Sequence, residues 1–192
     1  MRNPTAPFAL ASHLQRQEAA TPPDTAPWSE FGRAMQAGLA RTPRHISPKF
    51  FYDVAGSQLF DRICELPEYY PTRTELGILG ACAGEIAAQI GPNAEIVEFG
   101  AGSLTKVRLL LDALESPKRY LPIDISGEHL EAAAARLKAD YPALAVQPIA
   151  ADYTMPLVLP APLAGAGRRV GFFPGSAIGN FVPAGARAFL QL

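Results

Sequence analysis

The chain has 192 residues, of which 48% are apolar and 18% charged, a globular composition long enough for one domain with a hydrophobic core. Its net charge is −1 without a basic patch, which argues against a nucleic-acid partner, because clustered Lys and Arg bind such partners. No apolar run approaches the ~20 residues of a membrane span, and the three His and two Cys form no metal-ligand pattern. We therefore expect a cytoplasmic monomer that binds no metal ion, nucleic acid or membrane.

The N-terminal half divides into an arm and a helical segment. Residues 1–27 hold five prolines, which predicts a flexible arm. Residues 28–92 are predicted to form a helical segment that contributes to a substrate site. Its predicted helices cover 29–39, 58–65 with Ser57 as N-cap, and a stretch that begins after Thr72 and ends at Gly91-Pro92. In the last of these, Thr72 as N-cap and Glu75 at the third helical position match a capping box.

Residues 93–192 alternate between strand-like and helix-like runs, which predicts a parallel sheet with crossover helices. We interpret this region as the first part of a Rossmann-like α/β domain. Four strands are predicted, and they end near Phe99, Ile123, Ile149 and Phe173.

The most informative motif follows the first of these strands. An apolar run ends at Glu98, and Gly100 and Gly102 then precede a helix-like segment, so that Glu98, Gly100 and Gly102 are predicted to bind a cofactor. Glycines at this place let the backbone approach an adenine-containing cofactor, which meets the free N–H groups of the next helix. Position 105 is Thr, so the third glycine of the dinucleotide fingerprint is missing. That absence favours S-adenosylmethionine (SAM) over NAD, because SAM has no pyrophosphate.

Acidic residues also end the next two strands. Asp124 lies 24 residues after Gly100, near the spacing of about 20 for a carboxylate that binds ribose hydroxyls. Asp152 and Tyr153 follow the third strand, where an acid can accept from an adenine amino group and a ring can cover the base. The alternatives are that Asp124 caps a helix and that Asp152 stands in a turn.

Two segments carry a resemblance that is more specific than Gly-x-Gly: residues 49–57, KFFYDVAGS, and residues 66–75, LPEYYPTRTE. With the loop 98–103, Lys106 and the string 175–180, GSAIGN, the chain resembles the SAM-dependent histidine-specific methyltransferase family from about residue 29 onward. The resemblance implies an enzyme that methylates the α-amine of L-histidine to Nα,Nα,Nα-trimethylhistidine in ergothioneine biosynthesis. It implies a class I methyltransferase sheet, here truncated after about four strands.

The resemblance also implies roles for individual residues. Tyr52 matches a tyrosine near the reacting amine, and Tyr69 and Asn180 match contacts to the amino-acid substrate. The positions that match SAM contacts are Gly100, Lys106, Asp124, Asp152 and Tyr153. Family members have a further substrate-recognition region that supplies the groups for the imidazole. We therefore expect the 192-residue chain alone to be inactive.

Other interpretations stay open. Tyr52 is also explained as a core aromatic and Asn180 as a residue at a helix start. Lys106 in the first turn of a helix is unfavourable for the helix dipole, which supports a ligand role. The alternative functions are methylation of another small amine, a non-catalytic SAM-binding module and, more distantly, an NAD-dependent oxidoreductase.

Overall fold

The computed structural model describes residues 28–191, and its contacts divide the chain into two compact units, Met1–His45 and Ile46–Leu192. In the first unit, helix α1 spans Glu30–Leu39, and the Ser29 hydroxyl accepts a hydrogen bond of 3.1 Å from the Gly32 amide. This confirms the helix predicted there. The predicted proline-rich arm, residues 1–27, lies outside the described residues.

The second unit holds both the remaining predicted helices and the sheet. Its elements in chain order are a 3-10 helix Pro48–Phe51, α2 Val54–Glu65, α3 Tyr70–Ile90, β1 Glu95–Phe99, α4 Lys106–Ala113, β2 Arg119–Asp124, α5 Gly127–Asp140, β3 Ala145–Val146, β4 Ile149–Ala150, β5 Arg169–Phe172, a 3-10 helix Ala177–Asn180 and α6 Pro183–Phe189. Among residues 28–191, no helix is long and apolar enough to cross a membrane.

The sheet is parallel, as predicted. Its order is β3-β2-β1-β5, with β4 pairing β2 beyond β3. The predicted third strand is two short strands, β3 and β4, interrupted at Gln147 and Pro148. Proline has no N–H to donate, so the ladder is broken there. Because all strands run the same way, their carboxyl ends share one edge of the sheet.

The central strands β1 and β2 are buried on both faces. One face of β1 and β2 carries Ile96 and Tyr120, which pack with Val107 of α4 and Leu130 of α5. The other face carries an apolar cluster against the segment that follows β4. Its members are Val97, Phe99, Leu121, Ile123, Ile149, Ala151, Tyr153, Leu157 and Leu159. Tyr153, a predicted site residue, is therefore fixed by core packing.

A buried ion cluster closes the amino end of the sheet. Glu95 pairs with Arg119 at 2.8 Å and with Arg169 at 2.7 Å, because these two residues flank it on β2 and β5. It also accepts from the Leu163 amide at 2.9 Å. Burial raises the pKa of Glu95, but hydrogen bonds from Leu163, Arg169 and Arg119 outweigh it, and the pKa is lowered. The cluster fastens the connection before β5 to the sheet.

Two predicted helix starts are wrong. Helix α2 begins at Val54, where the Asp53 carboxylate accepts from the Gly56 amide at 2.7 Å, and Ser57 is buried inside the helix. Helix α3 begins at Tyr70 rather than after Thr72, since Pro71 fits a first turn. The predicted stop is confirmed, because Gly91 ends α3 with φ of 84°.

Helix α3 therefore has no capping box. The Thr72 hydroxyl donates to Sγ of Cys64 at 3.3 Å. Glu75 stands in the second turn, beyond the free N–H groups that a capping residue satisfies. Its carboxylate is used elsewhere, in the candidate site.

Candidate cofactor and substrate site

The glycine loop follows β1 directly. Gly100 and Gly102 have φ of 70° and 54°, a left-handed backbone that favours glycine. The amides of Gly100 and Ala101 both donate to the Ile123 carbonyl, at 2.9 and 3.1 Å. The loop is thus fastened to the end of β2, and the two strand ends that carry predicted cofactor residues are joined.

Asp124 links the loop to the following helix. Its Oδ2 accepts from the Gly102 amide at 3.0 Å, and its Oδ1 accepts from the Ser126 amide at 2.9 Å, just before α5. The second contact agrees with the helix-start interpretation of Asp124. A carboxylate has about four acceptor positions, so each oxygen keeps capacity for another donor. Asp124 and the glycine loop therefore fit the ribose end of an adenosyl cofactor.

Asp152 forms a turn and an ion pair at once. Its Oδ1 accepts from the amide and the hydroxyl of Thr154, at 2.9 and 2.5 Å. Its Oδ2 lies 2.8 Å from Nζ of Lys49, in the 3-10 helix before Tyr52. Burial raises the pKa of Asp152, but hydrogen bonds from Lys49 and Thr154 outweigh it, and the pKa is lowered. Asp152 is therefore an ionised acceptor at neutral pH.

The Tyr153 ring lies beside the glycine loop. A Cβ added at Gly100 would meet the ring at 3.6 Å. The ring packs edge-on against Phe99, Phe173 and Phe189, with centroids 6.1, 5.6 and 5.8 Å away. Burial and the negative charges of Asp124 and Asp152 raise the pKa of Tyr153 to about 12. Its phenol is neutral and its ring is held next to the loop.

Lys106 at the start of α4 is paired within the protein. Its Nζ lies 2.6 Å from Oε2 of Glu75, and Oε1 of Glu75 accepts from the Gly175 amide at 2.6 Å. Gly175 stands in the turn after β5, and the 3-10 helix that ends at Asn180 follows it. Asn180 itself is exposed.

Glu98 lies in the core beneath the loop. Its side chain is 2% exposed, and its Oε2 accepts from the Tyr120 hydroxyl at 2.5 Å. Burial raises the pKa of Glu98 to about 8, against a smaller opposing effect of the Tyr120 hydrogen bond. Gly100, Asp124 and Asp152 are each partly exposed, whereas this carboxyl group is buried, so its cofactor role stays a prediction.

The two predicted substrate tyrosines flank one phenylalanine. Tyr52 and Tyr69 each contact Phe60 edge-to-face, with centroids 5.9 Å apart in both pairs. The guanidinium of Arg73 donates to the carbonyls of Leu66 and Pro67 at 2.8 and 2.5 Å and fixes the loop before Tyr69. Burial raises the pKa of Tyr69, with further effects of Cys64, Tyr52 and Glu75, so its phenol is neutral.

Three side chains contact the predicted site residues although the sequence did not assign them to the site. Lys49, Glu75 and Phe60 had no predicted ligand role, although Lys49 and Glu75 stand within the two specific segments, 49–57 and 66–75. Their position in those segments is the sequence feature that could have indicated a role in the site. Among the described residues 28–191, no three His, Cys, Asp or Glu side chains are grouped to hold a metal ion.

A glycine loop and acidic residues at the carboxyl ends of parallel strands define a Rossmann-like α/β protein of the kind that binds adenosyl cofactors. The chain belongs to the family described as histidine-specific methyltransferase, SAM-dependent, whose model matches residues 31–192. This match confirms the predicted family and the predicted SAM cofactor.

The names of similar proteins are consistent with this family. The chain is 42% identical to the histidine N-alpha-methyltransferase of Mycolicibacterium smegmatis over 187 residues, 96% of this chain and 54% of that protein. It is 39% identical to the enzyme of the same name from Mycobacterium tuberculosis over 161 residues, 82% of this chain and 49% of that protein. A match to ergothioneine biosynthesis protein 1 of Neurospora crassa is 44% identical over 92 residues, 46% of this chain and 10% of that protein. The chain spans about half the length of the first two relatives.

Proposed function

We propose that the protein transfers methyl groups from SAM to the α-amine of L-histidine and yields Nα,Nα,Nα-trimethylhistidine, a step of ergothioneine biosynthesis. The structural observation that carries the cofactor part of this proposal is the 3.0 Å hydrogen bond between Gly102 and Asp124 at the carboxyl end of the sheet. Family membership and the names of the relatives support the methyl donor and the amino-acid acceptor.

Six residues are proposed to hold the cofactor, which when bound supplies a methyl group on a sulfonium. The backbone of Gly100 and Gly102 permits close approach, and Asp124 accepts from the ribose hydroxyls. Asp152 accepts from the adenine amino group, and the Tyr153 ring packs on the base. Lys106 binds the cofactor carboxylate. Glu98 supports the loop from below through its hydrogen bond with Tyr120.

Tyr52, Tyr69 and Asn180 are proposed to hold the amino acid. Tyr52 orients the reacting amine, and Tyr69 and Asn180 bind the rest of the substrate. An α-amine titrates about one unit or more above neutral pH, so its deprotonation costs ~1.4 kcal/mol or somewhat more. Correct placement of two reactants contributes ~7–11 kcal/mol. Orientation is the larger effect, so hydroxyl groups that place the amine suffice without a strong base.

The experiment that tests this function is mass spectrometry of the full-length gene product incubated with SAM and L-histidine. We expect products that carry one, two and three added methyl groups. The reaction is repeated with other free amino acids at equal concentration. Separate binding assays compare SAM with NAD. SAM binding without any turnover would support the non-catalytic module instead. Equal methylation of other amines would remove the histidine specificity, and tight binding of NAD without SAM would remove the cofactor.

The proposed enzyme acts on a small molecule. Its action as a monomer in the cytoplasm, without nucleic acid, stays a prediction. Size-exclusion chromatography with light scattering tests the oligomeric state of the same preparation.

A further inference from the structure

Glu75 stands where three parts of the candidate site meet. It belongs to α3, the helix that Tyr69 immediately precedes. Its Oε2 lies 2.6 Å from Nζ of Lys106, at the start of α4. Its Oε1 accepts from the Gly175 amide at 2.6 Å, in the turn that leads to Asn180. One carboxylate therefore connects the elements beside two of the three proposed substrate contacts, Tyr69 and Asn180, with one proposed cofactor contact, Lys106.

The contact differs from an ordinary surface ion pair in two ways. The side chains of Lys106 and Glu75 are only 20% and 28% exposed, and both carboxylate oxygens are used, each for a different element. Charge-assisted hydrogen bonds of this length are about twice as strong as neutral ones. A freely solvated Lys–Glu pair would not also fix a backbone amide.

Gly175 fits this junction for a steric reason. Its φ is 80°, and a Cβ added there would lie 3.0 Å from Nζ of Lys106. The turn after β5 therefore approaches the Lys106 ammonium as closely as a glycine allows. Lys106, Glu75 and the turn form a compact junction at this end of the sheet.

We propose that Glu75 is a positioning residue for methyl transfer, and this inference depends on the proposed function. By holding Lys106 and the Gly175 amide together, its carboxylate keeps Tyr69 and Asn180 in place relative to the cofactor loop. The glutamate acts through these partners and does not itself contact the reacting atoms.

The test uses the full-length gene product and three variants. Glu75→Ala removes both contacts, whereas Glu75→Gln keeps an oxygen for the Gly175 amide and loses the charge that Lys106 meets. Glu85→Gln, on an exposed position of the same helix, is the matched control. We expect KM for histidine to rise about tenfold in Glu75→Ala and by a smaller factor in Glu75→Gln, with kcat changed less than KM. Glu85→Gln should match the unmodified protein.

A double-mutant cycle with Lys106→Met separates positioning from general stability. If Glu75 acts through Lys106, the rise in KM in Glu75→Gln/Lys106→Met will be smaller than the product of the two single rises. Independent effects that multiply, or a Glu75→Ala variant that behaves like Glu85→Gln, would overturn the inference. So would a Glu75→Ala variant that lowers the melting temperature and kcat together and leaves KM unchanged. An unmodified protein without turnover would instead overturn the proposed function.

Discussion

Nζ of Lys49 lies 2.8 Å from Oδ2 of Asp152, so the segment that carries Tyr52 is tied to the strand end that carries Tyr153. The two residues are 103 positions apart along the chain. Their side chains are 23% and 17% exposed, and the pair therefore lies between surface and core. It joins a proposed substrate contact to a proposed cofactor contact.

Replacing Lys49 with methionine should lower the free energy of unfolding at pH 7 by ~1 kcal/mol, the upper range of partly screened ion pairs. The pKa of Asp152 is lowered, so its ionised form stabilises the fold above its ordinary value of 3.8, and that contribution is lost as the pH falls through the lower folded value. The difference in the free energy of unfolding between Lys49→Met and the unmodified protein should therefore decrease as the pH falls. Urea unfolding at several pH values measures it, with Lys118→Met at an exposed position as control. A difference that is constant with pH would contradict the role of the ion pair.

Local patterns were sufficient to predict the elements that hold the cofactor loop. The strand before Gly100, the acidic residue at Asp124 and the stop at Gly91 each depend on a few neighbouring residues, and all three are where the sequence predicts them. Strand alternation with helices is also local, and it correctly predicted a parallel sheet.

The contacts of Glu75 could not be predicted in this way. Thr72 and Glu75 have the spacing of a capping box, but Pro71 is equally suited to the first turn, and the helix begins earlier. Besides Lys106, Glu75 contacts the amide of Gly175, which is 100 residues away along the chain. The Glu75 carboxylate and the Gly175 amide meet only because the folded sheet places the turn after β5 beside α4. The link between Lys49 and Asp152 was missed for the same reason.

Glu98 should make stability depend on pH in the direction opposite to Asp152. Burial raises its pKa from 4.5 to about 8, so the folded state binds a proton that the unfolded state has lost in this interval. Stability contributed by the protonated carboxyl is therefore complete below about pH 4.5 and declines as the pH rises to about 8, by up to ~1.4 kcal/mol per pH unit.

Glu98→Gln should remove this decline, because the amide cannot ionise and its oxygen still accepts from Tyr120. Urea unfolding from pH 5 to 8 of both proteins measures the two slopes. Glu85→Gln, at an exposed position, should keep the slope of the unmodified protein. Parallel curves for Glu98→Gln and the unmodified protein would show that Glu98 is ionised in the fold.

Asp124→Ala should weaken SAM binding about tenfold to a hundredfold, the loss expected for a charged acceptor of hydrogen bonds. Because Asp124 also accepts from Gly102 and Ser126, part of the loss will come from a less ordered loop. Isothermal titration calorimetry of the full-length gene product gives the affinity, and a melting curve shows whether the fold persists. Asp140→Asn, in an exposed ion pair with Arg108, is the control. Unchanged affinity in Asp124→Ala would remove its assignment to the ribose.

Gly100→Ala separates backbone strain from crowding in the cofactor loop. The added Cβ would meet the Tyr153 ring at 3.6 Å, an ordinary contact, so the cost comes from φ of 70°, which an alanine adopts with a penalty of roughly 1–2 kcal/mol. Gly84→Ala on α3 is the matched control, since a Cβ there meets nothing within 4 Å and a helical backbone favours alanine by ~0.5–1 kcal/mol. We expect Gly100→Ala to lower the free energy of unfolding and Gly84→Ala to raise it. A stabilised Gly100→Ala variant would mean that the loop changes to a conformation with negative φ at no cost, and the close approach of Gly100 to Tyr153 would then not be required by the fold.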